Sequence, residues 1–432
     1  MKDILAASDF TMGNLECAVG TTGTPMPDKT YTFRADPTAL EGLVGSGFDA
    51  VSLANNHTLD YGMDCFLETL DHVAASGIAV VGAGRNEAEA RAPYIFEKNG
   101  ISVGVLATNL VVPTTEWAAT DTKPGQAFDW GGRRGSGICA SVEALRQQVD
   151  IVVVMLHWGE ERTTEPESWV KNMEIGLREA GADIIIGGHP HILRSIRYDG
   201  QTLTAHSMGN FVFTIRADIP ACQESAILTV TVSKDGIESA EVYPTRIVNY
   251  RAIPLTGTDR DSAMNKLAAL SRPFGSDIEI SGEILPISFS DMVGHWARFT
   301  IARLTRGGVV QGYEDGTFRP NQNVTKAEFA ALLARSLVAQ ETLDAAAAVE
   351  GFDLCPVDHW SYPYLKYLAS VAAFPSSDPA WRHDTLCLRG DAMMAIWKAF
   401  GSQPVPEGFV TDFQDAANYE GESLTSALWG VL

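Results

Sequence analysis

ADIIIGGHPH, residues 182–191, is a short apolar run that ends in two glycines and delivers two histidines. The same plan occurs twice more. FDAVSLANNHTLDYG (48–62) ends on Asn56 and His57, and DIVVVMLHWGEE (150–161) ends on His157. A brief apolar run bounded by turn residues reads as a buried strand. Such strands, separated by helical segments, build an α/β fold with a largely parallel sheet, and ligands gather beyond the carboxyl ends of its strands. Nitrogen and oxygen donors brought from several strand ends are the set that transition metals take. Of nine histidines in the chain, four lie in these phrases, so the pattern points to one site.

Outward from these phrases the first 250 residues keep the same grammar. IAVVGAG (78–84) and ISVGVLATN (101–109) read as further buried strands, and helical spacing is expected from about Met63 to Ala75 and over 166–182, with Pro166 in a first turn. Asp199-Gly200 and Asp235-Gly236 mark two hairpins, so paired antiparallel strands follow the α/β half. Residues 251–285 lose periodicity and gather Gly, Pro, Ser and Asp; they are expected to be a linker, with one short helix near 261–271. An all-α repeat region follows, with units at 286–345 and 350–402 and a fragment at 410–432, at a period of roughly 55 to 60 residues.

Bulk properties narrow the classes. The chain's 432 residues call for two or three domains. A net charge of −22, from 32 basic and 54 acidic residues, argues against a nucleic-acid partner. The six cysteines form no CxxC pair, which excludes a typical thiolate zinc knuckle; Cys355 and Cys387 could pair, which sequence cannot decide. No run approaches the roughly 18 apolar residues of a membrane span. The opening MKDILAASDF has neither the basic start nor the apolar core of a secretion signal.

GNLECAV (13–19), YTFRADP (31–37), VSLANNHTLDYG (51–62), GAGRNEAEA (82–90), LHWGEE (156–161), GGHPHILRSI (187–196) and SMGNFVF (207–213) resemble the CapA-type capsule and poly-γ-glutamate synthesis family of the calcineurin-like metallophosphoesterase superfamily. FSD with HWA, YEDGTFRP and TKAE in the first repeat, and DHW with LRGD in the second, resemble S-layer homology modules, which bind secondary cell-wall polysaccharide. The resemblance implies a metallophosphatase-like α/β/β/α sandwich over 1–250 and a protein at the cell surface or cell wall. It implies two divalent transition-metal ions (Mn, Fe or Zn) held by Glu16, Asn56, His157, His189 and His191. His57 would steady an oxyanion or protonate a leaving group. Arg34 would grip an anionic group of the substrate, and Glu160 would line the pocket. Thr325, Lys326, Glu328, Arg389 and Asp391 would meet the wall polymer.

Each residue also has a plainer reading. His157 could be a core histidine, GGHPH a tight turn, Asn56 a helix cap, Glu16 a surface carboxylate and Arg34 half of a structural ion pair. Thr325 with Glu328 could be only a capping box. Trp158 is expected to pack, His206 to stay outside the metal shell, and Trp296, Trp360 and Phe318 to be core. Relatives open with a strand ending in Gly-Asp whose Asp is a ligand, and nothing before Asp9 can be that strand. From Met1 onward, the expectation is therefore incomplete metal occupancy and an exposed apolar sheet edge. The leading expectation is a wall-tethered metallohydrolase that makes, trims or attaches an anionic capsule polymer such as poly-γ-glutamate. The alternative is a non-catalytic scaffold with a degenerate metal site.

Overall fold

Three short parallel strands, β1 (Met12–Asn14), β2 (Ala50–Ser52) and β3 (Ala79–Val81), lie side by side in that order. They belong to a computed structural model that describes residues 1–130, 137–213, 219–347, 355–374 and 382–400. The chain divides into two units, Met1–Ile287 and Ser288–Leu432.

In the first unit a second, six-stranded sheet runs from β4 (Tyr94–Lys98) through β5 (Ile101–Asn109), β6 (Ile151–His157), β7 (Ile184–Gly188) and β9 (Leu203–Ala205) to β8 (Ile196–Tyr198). The four central strands are parallel, and the two edge strands are antiparallel to their neighbours. Every residue of β6 is buried, as a strand covered on both faces must be.

Alternation of side chains along the strands explains the layers. Helices α1 (Leu40–Gly45) and α2 (Gly62–Ala75) cover the outside of the small sheet, where Phe66 and Leu70 pack on Leu53, and Leu40 and Val73 on Val51. Its inner face offers Ala54 and Val81 to Val105, Ile151, Val153 and Met155 of the large sheet. The opposite face of the large sheet presents Val152, Val154 and Leu156 to α3 (Gly137–Arg146) and α4 (Ser168–Ala180). Each such fully buried side chain contributes about 1.5–3 kcal/mol. The order helix, sheet, sheet, helix is the α/β/β/α sandwich.

Residues 251–285 are not a linker. Strand β12 (Arg251–Pro254) extends the hairpin of β10 (Glu224–Ser233) and β11 (Gly236–Val248), and α5 (Gly257–Ser271) follows it. Met264, Leu267, Ala268, Ile278 and Ile284 are buried with Ile196, Leu203 and Val242. The first unit thus ends at Ile287 rather than at residue 250. Both Asp-Gly hairpin turns stand where expected, between β8 and β9 and between β10 and β11.

The second unit is helical: α6 (Arg298–Arg306), α7 (Lys326–Leu337), α8 (Gln340–Ala347), α9 (Tyr362–Ser370) and α10 (Arg389–Ala399). Ala330, Leu333 and Ala334 pack with Leu343, Leu365 and Leu368. The segments leading into α7 and α10 bond to each other: Lys326 N donates to Thr385 O, Ala327 N to His383 O, and Cys387 N to Val324 O. Trp296 and Trp360 are not core residues; they are 85% and 53% exposed. Phe318 is partly buried against Phe289, ring centroids 5.7 Å apart. The fragment expected at 410–432 and parts of 350–402 lie outside the described residues.

Candidate metal centre

Four turns beyond the carboxyl ends of β1, β2, β6 and β7 converge. The β2 turn is fixed by Asn55, fully buried, whose amide donates to Asn14 Oδ1 (3.0 Å) and Leu15 O (2.9 Å) while its carbonyl oxygen accepts from His57 N (3.0 Å). Asn55 thereby ties the β1 turn, with Glu16, to the β2 turn, with Asn56 and His57. His157 is the last residue of β6. His189 and His191 follow β7 in a turn where both have positive φ, 93° and 59°. Left-handed backbone is unfavourable for non-glycine residues.

The ligand-type atoms meet. His157 Nε2 lies 2.9 Å from Asn56 Oδ1, 3.2 Å from His189 Nδ1 and 3.6 Å from Glu16 Oε1. His191 Nε2 lies 3.8 Å from Glu16 Oε1. Asn210 Oδ1 stands 2.8 Å from His191 Nδ1, which fixes the ring with Nε2 toward Glu16. Glu16 Oε1 is buried and receives no hydrogen bond among the described residues. An orphaned carboxylate oxygen ringed by imidazoles and an amide oxygen is what a cation-binding cluster leaves when described without its ion. Glu16, His157 and His189 form one group with metal-ligand spacing, and Glu161, His189 and His191 another.

Electrostatics agree with that reading. Burial pushes the Glu16 carboxyl above its usual range, against the charges of His191 and His57. Burial and the neighbouring His189 hold His157 well below the usual histidine range. Burial, then the charge of His191, brings His189 down to about 3. Both imidazoles are therefore neutral at pH 7, the form that ligates metals.

His57 is held differently. Its Nδ1 lies 2.7 Å from Asp60 Oδ2, and Lys29 Nζ, 3.1 Å away, also contacts Asp60 and Asn56 O. Phe33 packs on the His57 ring (4.4 Å), and Phe213 on both Phe33 and His191 (5.4 Å each). Lys29 carries no pattern in the sequence that singles it out; Asn210 lies within the SMGNFVF phrase, and Phe33 within YTFRADP, where it precedes Arg34 and neighbours along an extended segment point to opposite sides.

Arg34 is accordingly not in the pocket. It is exposed, donates to Thr22 O (2.9 Å) and stacks on Tyr61 at 4.2 Å. Glu160 is also misassigned: its backbone N donates to Glu167 (3.0 Å), and its neighbour Glu161 is the carboxylate that faces His189 and His191. Trp158 is fully buried, with Nε1 donating to His206 O (3.0 Å). His206 sits between Ser195 (3.0 Å) and Glu174 (3.2 Å), outside the cluster.

Arg194, fully buried, fastens the loop that carries Glu161. It donates to Thr163 O (2.8 Å), Glu160 O (2.9 Å) and both oxygens of Glu167 (2.8 and 3.1 Å). Gly187 is forced by close approach: a Cβ there would lie 2.2 Å from Trp158 Nε1 and 2.3 Å from His206 O.

In the helical unit Thr325 and Glu328 form a reciprocal capping box, and Glu328 also accepts from Tyr313 (2.9 Å). Lys326 Nζ stands 3.7 Å from Asp391, and Asp391 accepts from Leu388 N (3.1 Å), so polar groups of the two repeats meet at adjacent helix starts. Arg389 opens α10 beside them.

The α/β/β/α sandwich with its histidine cluster at the strand ends defines an α/β unit with a candidate metal centre, here followed by a helical unit. Residues 1–215 belong to the bacterial capsule synthesis protein PGA_cap family, and residues 288–330 match the S-layer homology domain. It is 29% identical to the PGA biosynthesis protein CapA of Bacillus subtilis (strain 168) over 246 residues, 56% of this chain and 63% of that protein, so it spans less than two thirds of that relative's length. A cellulosome-anchoring protein of Acetivibrio thermocellus is 27% identical over 150 residues, 34% of this chain and 33% of that protein. Among solved structures, the Haemophilus influenzae NAD nucleotidase (NadN) is similar with a TM-score of 0.31 and 16% identity, covering 54% of this chain and 48% of that one. The S-layer homology domain marks attachment to the cell surface or wall. No helix among the described residues is long and apolar enough to cross a membrane.

Proposed function

We propose that this is a wall-tethered metallohydrolase that makes, trims or attaches an anionic capsule polymer such as poly-γ-glutamate. The observation that carries the reading is the convergence of Glu16 Oε1, Asn56 Oδ1, His157 Nε2 and His189 Nδ1 on one point. Mixed oxygen and imidazole donors suit Mn, Fe or Zn. Glu16, Asn56, His157 and His189 would hold one ion, and Glu161 with His191 would offer donors to a second beside it. An ion held by these residues would supply a water acidified toward a pKa of about 7 and charge stabilisation at the attacked centre.

The chain's own groups supply the rest. His57, oriented by Asp60 and Lys29, donates a proton to the leaving group. Phe33 and Phe213 form an apolar wall beside it that limits water. Lys326, Arg389 and Asp391 at the two helix starts, beside the Thr325–Glu328 cap, contact an acidic wall polysaccharide. Manganese-loaded protein, assayed on a phosphodiester and on γ-linked glutamyl amides, is expected to turn over one of them, and His189→Ala to abolish that turnover. Normal wall binding with no turnover of either substrate by the metal-loaded wild type would favour a scaffold instead.

A further inference from the structure

A second constellation of metal-binding side chains lies in the helical unit. Cys355, His359 and His383 place one ligand atom each within 4.8 Å of one another. Cys355 is buried, and the rings of His359 and His383 are 4.5 Å apart. Ser361, fully buried, lies 2.7 Å from His359 Nδ1 and 3.7 Å from Cys355 Sγ, so one hydroxyl orients both.

The position of these residues in the repeat supplies an independent argument. Cys355 lies four residues before His359 of its His-Trp pair, as Asp291 lies four before His295 of the first repeat. His383 lies five before Leu388, the residue that caps α10, as Pro320 lies five before Thr325, which caps α7. In the first repeat the Asp291 carboxylate joins the opening segment to the loop before the second helix, accepting from Phe318 N (2.9 Å) and Arg319 N (2.7 Å). In the second repeat a thiol stands at the position of that carboxylate and an imidazole at the far end of the same junction. A late first-row ion spanning them restores the lost link.

We propose that Cys355, His359 and His383 bind a zinc-type divalent ion that fastens the opening of the second helical repeat to the loop before its last helix. One thiolate, two imidazoles and a water complete a tetrahedral shell. Zinc–sulfur and zinc–nitrogen bonds of about 2.3 and 2.0–2.1 Å put tetrahedral donors roughly 3.3–3.6 Å apart, so donors within 4.8 Å of one another close in by about 1.5 Å at most. Binding forms the metal–sulfur bond as the Cys355 proton leaves to solvent.

Cobalt(II), added to the reduced full chain, tests this, because the centre in the first unit has no thiolate among its ligands. A thiolate-to-cobalt charge-transfer band is expected, titrating to one equivalent and displaced by zinc. It is expected to persist in His189→Ala and to vanish in Cys355→Asp and His383→Ala. Cys355→Asp restores the carboxylate of the first repeat and so guards against simple misfolding. Zinc is expected to raise the melting temperature of the helical unit in the wild type, less in Cys355→Asp, whose carboxylate can still ligate, and not in His383→Ala. No band in the wild type, or an undiminished band in Cys355→Asp, overturns the proposal, as does an equal zinc-induced rise in the wild type and His383→Ala.

Discussion

Replacing Arg194 by Met removes a fully buried guanidinium and keeps most of its bulk. The Thr163 carbonyl loses its guanidinium donor, the Glu160 carbonyl is left with the Thr163 hydroxyl (3.2 Å), and Glu167 loses the charged partner while keeping Glu160 N (3.0 Å) and Thr163 Oγ1 (3.1 Å). Burial pushes the Glu167 carboxyl up, but its hydrogen bonds from Arg194 and backbone outweigh that and hold it at about 2 against an ordinary 4.5. At 1.36 kcal/mol per unit, that difference amounts to about 3 kcal/mol. Breaking a buried ion pair costs about 3–5 kcal/mol, and the Glu167 side chain is 15% exposed, so screening favours the lower end. Urea unfolding of the first unit at pH 7 is therefore expected to show a loss of about 3 kcal/mol for Arg194→Met, with Arg194→Lys in between. The sign with pH follows from a depressed carboxyl: its stabilisation is present above the unfolded value and is lost as pH falls toward the folded one. The gap between wild type and variant should narrow by about 1 kcal/mol from pH 7 to pH 4. Manganese affinity should fall too, since the released loop carries Glu161. A loss below about 1 kcal/mol at pH 7, or a gap that widens on acidification, would refute the reasoning.

Three further outcomes are expected. In metal-free protein His189, at about 3 when folded against 6.5 ordinarily, binds its proton less readily than the unfolded chain does. Stability should thus decline as pH drops below 6.5, by about 2 kcal/mol from this group at pH 5, with His157 acting in the same sense and Glu16 opposing; denaturant curves of His189→Ala should show a shallower slope. Gly187→Ala forces a Cβ into Trp158 and the His206 carbonyl, so thermal melts should show about 1–3 kcal/mol lost, with weakened metal binding as the following turn shifts. Leu267→Ala in α5 should destabilise the first unit by about 2–5 kcal/mol in urea, whereas a linker position would change it negligibly.

The strand-then-ligand phrases were readable because each element buries both faces, which forces continuous apolar runs such as 151–156, and because the donors sit directly beyond them. The Asp-Gly hairpins and the Thr325–Glu328 cap were readable for the same local reason. Residues 251–285 were not: only Met264, Leu267, Ala268 and Ser271 of α5 are buried, and polar residues around them hide the single apolar stripe. Choosing between Glu160 and Glu161 depends on the loop held by Arg194, a contact between residues far apart in sequence. The chemistry of Arg34 suits an anion, but it is Phe33 beside it that faces His57, and alternation alone does not say which of the two turns inward. Trp296 and Trp360 are exposed although large aromatic rings usually pack in a core, and nothing in the local pattern marks them.

The main-chain bonds exchanged between the segments leading into α7 and α10 have a practical consequence. A shortened protein that stops after Ala347 would leave Lys326 N and Ala327 N without the acceptors that Thr385 and His383 give them. Neighbouring copies here are mutual scaffolding rather than beads on a string. Trimming one is expected to fray the start of the other, so any polysaccharide-binding measurement on a dissected piece needs both copies present.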